Sequence, residues 1–179
     1  MALIKIKSES MNLADDYAFT GTVTGAGTST TPAFMAYRSS TQTGIADATP
    51  TKCIFDTERF DTDNCYDTSN GRFTPNVAGK YYVYAVATMN SNYASNVSLN
   101  FLHIRKNGTN FTQIAIDHRN VSNAYVAGQH AGLLIEMNGT TDYIEVYGYT
   151  DFANNNANNQ FQGDSEGKET FFGAFRIAD

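Results

Sequence analysis

Three histidines, His103, His118 and His130, and a short run of acids, Asp61, Asp63 and Asp67, are the side chains of this 179-residue chain best suited to chemistry. A histidine works as a general base only beside the nucleophile or proton it serves. These three are dispersed, each inside a strand-like pattern, so they read as polar strand residues. No Gly-x-Ser-x-Gly, His-Glu-x-x-His, phosphate loop or dinucleotide fingerprint accompanies them. Paired carboxylates could serve a glycosidase, and clustered ones could hold calcium, which takes about six to eight oxygen ligands. The three aspartates, however, flank loops where solvated acids are commonplace, and they show no strict ligand spacing. The expectation is no catalytic residue, no metal site and no cofactor. The Asn-x-Ser/Thr sequons at Asn96, Asn107, Asn110, Asn120 and Asn138 are what an Asn- and Thr-rich chain produces by chance.

Composition then says what kind of scaffold must carry these residues. The chain has 12 Phe, 11 Tyr and 14 Gly but only 3 Pro and no Trp, a mixture that favours strands and turns. Charged residues make up 17%, below the usual share of about 25%. Much of the polar surface must therefore be Asn, Thr, Ser and Gln. A net charge of -6 repels nucleic acid and anionic membrane alike, and no Lys/Arg cluster reverses it locally. No apolar run reaches the roughly 18 residues of a membrane span. The start, MALIKIKSESMNLADDYAF, lacks the apolar core of a signal peptide, so export by the general route is not expected. Neither nucleic acid nor membrane is an expected partner. Cys53 and Cys65 read as free, mostly buried thiols of a reducing cytosol, although a cross-strand bond between them is geometrically conceivable.

Short strand patterns with turn signals between them run from Pro32 onward. PAFMAYRSS alternates Phe34 and Ala36 against Met35 and Tyr37. TKCIFD reads as a short strand, and Thr57–Asn64 as an acidic loop. Asn70-Gly71, Asn107-Gly108 and Asn138-Gly139 are tight-turn dipeptides, because both residue types tolerate positive φ. Strands are predicted over Lys80–Met89, Val97–Lys106, Asn110–Asp117, Ala127–Met137, Asp142–Thr150 and Thr170–Ile177. The Asn-rich stretch ANNNANNQFQGDSEGKE reads as a solvated loop. About ten strands with no helical period indicate an antiparallel sandwich or barrel.

Lys80–Met89 carries apolar side chains on both faces. Tyr81, Val83, Ala85, Ala87 and Met89 fall on one, and Tyr82, Tyr84 and Val86 on the other. Phe171 and Phe175 likewise oppose Phe172. One face must line the core, and the other needs a cover that no helix is available to supply. Another copy of the chain is the expected cover. The interface and core candidates are thus Tyr81, Tyr82, Tyr84, Phe171, Phe172 and Phe175, with the division between the two roles left open.

The order of motifs across Pro32–Asp179 resembles the C1q/TNF-like jelly-roll family. PAFMAYRS opens the match, and IFD at Ile54–Asp56 follows. The most distinctive part is YDTSNGRFTPNVAGKYYVYA at Tyr66–Ala85, where Tyr66-Asp67, Asn70-Gly71, Phe73, Pro75, Gly79 and Tyr81 fall in the family pattern. IRKNG at Ile104–Gly108 and FFGAFRI at the end complete it. Thr170 or Phe171 stands where the family has a Ser, and no collagen-like Gly-x-y stem is present. The resemblance implies an all-β, ten-stranded antiparallel jelly-roll sandwich that forms a compact homotrimer about a threefold axis.

Residues 1–31 differ from this domain, with few large apolar residues among Thr and Gly. They read as an extended docking arm whose anchors are Ile4, Ile6, Leu13, Tyr17, Phe19 and Val23. MNLADDYAFTGTVTGAG is similar to the leaders of small bacteriophage structural proteins. Together the two resemblances imply a non-enzymatic virion protein, made in the host cytoplasm and docked on capsid or tail proteins. A capsid decoration trimer is the first expectation. The alternative is the head of a short tail fibre that binds a host surface glycan or protein.

Overall fold

The computed structural model describes residues 31–91, 97–121, 124–152 and 159–178. The arm anchors Ile4, Ile6, Leu13, Tyr17, Phe19 and Val23 lie outside the described residues.

Within them the fold is all strand. In chain order the strands are β1 (Ala33–Tyr37), β2 (Gln42–Ile45), β3 (Thr51–Lys52), β4 (Thr57–Asp61), β5 (Tyr66–Asp67), β6 (Arg72–Phe73) and β7 (Ala78–Asn90). They continue with β8 (Val97–Lys106), β9 (Thr109–Asp117), β10 (Val126–Asn138), β11 (Ile144–Phe152), β12 (Asn159–Phe161) and β13 (Phe171–Ala178). Setting aside the two-residue β3, β5 and β6 leaves the ten of the expected jelly roll. Two antiparallel sheets face each other. The first runs β2-β12-β7-β13-β1-β4, with β10 paired along the whole free side of β7. The second runs β5-β6-β11-β8-β9, with β3 on β11.

Alternation places the core between the sheets. Phe34 and Ala36 of β1, the odd-numbered residues Tyr81 to Met89 of β7, and Phe172 and Ala174 of β13 point inward and are buried. Leu102, Ile104, Ile144 and Val146 answer from the second sheet. At the centre Phe34 stacks on Tyr66 (4.7 Å between ring centroids) and Phe73 (4.5 Å), and meets Phe172 edge-on at 4.9 Å. Each fully buried ring contributes roughly 1.5–3 kcal/mol. The tyrosine hydroxyls that reach this core still find partners. Tyr66 donates to the Phe55 carbonyl at 3.0 Å and Tyr81 to the Val77 carbonyl at 2.7 Å. At Asn107-Gly108 both φ values are positive (53° and 78°), as a two-residue hairpin between right-twisted strands requires.

Four readings of the sequence are corrected. Thr57–Asn64 is not a loop throughout, since Thr57–Asp61 pairs with β1. Edge strands carry charge as protection against further pairing, and Glu58 and Arg59 disguise this one. In TKCIFD only Thr51–Lys52 is strand, although Cys53 and Phe55 beyond it are fully buried. The Asn-rich stretch contains β12, whose Phe161 is fully buried against the core, so it is not simply solvated. His118 lies in the turn after β9 rather than within a strand.

Candidate functional site

The alternation of β7 leaves Tyr82, Tyr84 and Val86 on the outer face of the first sheet. Pairing with β13 sets Tyr82 opposite Phe175, Tyr84 opposite Gly173 and Val86 opposite Phe171. Pairing with β10 sets Leu134, Gly132 and His130 on the other side of the same residues. Farther out, Met35 lies between Gly173 and Phe60. The result is a broad apolar face running across β10, β7, β13, β1 and β4.

Aromatic contacts knit this face together. Ring centroids lie 6.1 Å apart for Tyr82 and Tyr84, 5.6 Å for Tyr82 and Phe175, and 6.4 Å for Tyr84 and Phe171. Gly132 and Gly173 make the close packing possible, because the Tyr82 and Tyr84 hydroxyl ends occupy the space a β-carbon would need. Burial by these neighbours pushes the Tyr84 hydroxyl above its ordinary pKa. Even so, Leu134 remains 56% exposed, Phe60 49%, Phe175 39% and Tyr82 37%. Lys80 opposite Glu136 marks one end of the face. An apolar surface of this breadth is the form of an interaction site.

The six aromatic candidates therefore divide. Tyr81 and Phe172 belong to the core, while Tyr82, Tyr84, Phe171 and Phe175 share the outer face. Sequence reasoning missed Leu134, Phe60 and the two glycines. Leu133-Leu134 did carry a signal, since adjacent leucines in a strand must face opposite ways.

The outer face of the second sheet is different in character. Glu145 is 2% exposed and receives Lys52 Nζ at 2.5 Å and Arg72 Nη2 at 2.9 Å. Burial alone would push this carboxyl up, but the two cationic hydrogen bonds outweigh it and hold Glu145 below the usual range. The Arg72 guanidinium stacks 3.7 Å from the Tyr143 ring centre and Arg105 3.8 Å from that of Tyr147.

The sequence-derived chemical candidates are not brought together. His103 lies on the second sheet, where burial and then Arg105 lower its pKa. His118 meets the Asn100 Oδ1 at 3.1 Å, and His130 is exposed on the first sheet. Asp61 accepts from the Tyr66 and Asp63 amides, and Asp67 from Ser69 and Asn70, so these acids hold their own turns. Among the described residues no three of His, Cys, Asp or Glu are placed to share an ion. Among the described residues, neither of two open surface clefts of about 630 Å³ is lined by a histidine. Cys53 and Cys65 are unpaired and buried.

Comparison with known proteins bears on the fold. The family model described as C1q domain matches residues 33–173. Among solved structures, the globular domain of zebrafish complement 1qA protein superposes with a TM-score of 0.56 at 16% identity, covering 82% of this chain and 97% of that one. Murine APRIL at pH 8.0 gives the same TM-score at 11% identity, covering 81% and 98%. No curated protein matches the sequence.

Proposed function

From the premise that this chain belongs to the C1q domain family, we propose that it is a non-enzymatic structural protein acting as a compact homotrimer on the surface of a bacteriophage particle. The observation that carries the assembly reading is the outer face of the first sheet, where Tyr82, Phe175, Phe60 and Leu134 remain 37–56% exposed. Aromatic side chains of this size bury on the order of 150–250 Å² each when covered. Three copies arranged about a threefold axis, as the family resemblance implies, would cover this face without any other element. The virion placement is supported by the leader MNLADDYAFTGTVTGAG, and residues 1–31 serve as the arm that docks the trimer onto the capsid as a decoration protein. Many weak copies acting together raise avidity by roughly 10²–10⁴.

A second placement, the head of a short tail fibre contacting a host receptor or glycan, is favoured by the stacked Arg72–Tyr143 and Arg105–Tyr147 pairs on the opposite sheet.

Light scattering tests the assembly. The expected mass is that of three 19.6 kDa chains, and a stable monomer at micromolar concentration sinks the interface. Deleting residues 1–31 tests the placement: the trimer should persist while incorporation into particles is lost. A truncated protein that still incorporates shows that the arm is not the anchor.

A further inference from the structure

The chain carries a net charge of -6, yet one strip on the second sheet has the opposite sign. Lys52 of β3, Arg72 of β6 and Arg105 of β8 converge there on Glu145 and Tyr147 of β11. Three cations thus face two carboxylates, Glu145 and the Asp67 that lies opposite Arg72. Lys52 and Arg72 share Glu145, whereas Arg105 makes no ion pair among the described residues. Its Nε donates to Asn110 Oδ1 at 2.7 Å and its guanidinium carbon sits over Tyr147, 3.8 Å from the ring centre. A guanidinium stacked in this way is pre-organised, and its remaining N–H groups form a fork that fits a carboxylate. Beyond the intervening His103–Tyr147 pair, Phe101 meets Tyr149 edge-on at 5.1 Å, both half-buried, and extends the strip with two further aromatic rings.

We propose that this strip binds an acidic polysaccharide whose sugar rings carry carboxylates, with Arg105 holding one carboxylate and Tyr147, Tyr149 and Phe101 supporting the rings. Charge complementarity selects the occupant: with Lys52 and Arg72 engaged by Glu145, Arg105 is the cation left beside the aromatic rings, and it suits a single carboxylate carried on a sugar ring. Asp67, opposite Arg72, and the overall negative charge work against a dense polyanion such as nucleic acid. The inference rests on the assembly reading only for its repetition, three strips per trimer.

The test is calorimetric titration of the full chain with a polyuronate hexasaccharide, a neutral glucan hexasaccharide and an oligonucleotide of equal charge. The uronate should bind and the other two should not. Arg105→Ala should weaken uronate binding about tenfold or more, Tyr147→Ala should weaken it also, and Lys168→Ala, the same charge loss on an exposed loop, should change nothing. Melting and light scattering check that each variant is folded and retains its mass. No uronate binding, equal losses from Arg105→Ala and Lys168→Ala, or equal binding of the glucan or the oligonucleotide overturns the proposal. A monomer in which the Arg105→Ala loss persists overturns the assembly reading and leaves the strip standing.

Discussion

Tyr82 lies across Gly132 of the neighbouring strand, its hydroxyl end filling the space that a β-carbon at 132 would take. Tyr84 stands in the same relation to Gly173, directly opposite it in the sheet. Small residues are thus what let large ones lie close to the sheet and form one continuous face.

Gly132→Ala is therefore expected to separate folding from assembly. Only the far end of one side chain must move, so the protomer should lose less than about 1 kcal/mol. The displaced Tyr82 spoils the face, and the dissociation constant of the proposed trimer should rise about tenfold or more. Sedimentation equilibrium beside denaturant unfolding reads the two effects separately. Unchanged association would remove this face from the interface.

Gly148→Ala should do the reverse. A β-carbon there meets the Phe161 ring and the Met89 sulfur inside the core, where neither can retreat to solvent. Overpacking of this kind costs about 1–3 kcal/mol. The melting temperature should fall, and a loss of less than about 0.5 kcal/mol would mean that the core yields at this point.

Glu145 sets an acid limit on stability. Its folded pKa lies below the ordinary value of 4.5, so its contribution is fully present above that pH and is lost as pH falls through the lower folded value. Glu145→Gln should cost roughly 1.5–3 kcal/mol at neutral pH, with the lower part of that range expected because Lys52 and Arg72 are partly solvated. The gap between the variant and the parent should close in acid. Urea unfolding from pH 7 to pH 3 measures it, and a constant gap would contradict the ion-pair account.

Cys53 is fully buried and Cys65 nearly so, and burial is the leading cause that pushes both thiols above their ordinary pKa. The thiolate is the reactive form, so both should resist alkylation in the native protein and react promptly in denaturant. Mass spectrometry after a timed pulse of maleimide reads this directly. Rapid native labelling of Cys53 would mean that the sandwich opens there.

The fold was legible in most of its parts because strand periodicity and turn chemistry are local. Asn107-Gly108 announces its hairpin through the positive φ both residues accept, and β8 runs over Val97–Lys106, as its pattern indicates. The losses were also local in origin. Glu58 and Arg59 made an edge strand look like a loop, and Phe161 was hidden among asparagines although it packs in the core.

For the assembly face, the sequence alone determined that Tyr81 and Tyr82 point apart and that both sides of β7 want cover. A period of two separates the residues into sets but carries no sign. Only the packing of the second sheet against Tyr81 and Phe172 decided that Tyr82, Tyr84, Phe171 and Phe175 face outward. The strip around Arg105 and Tyr147 was beyond the sequence altogether. Its members come from β3, β6, β8 and β11, and hydrogen-bonded register across strands far apart in the chain is what brings them side by side.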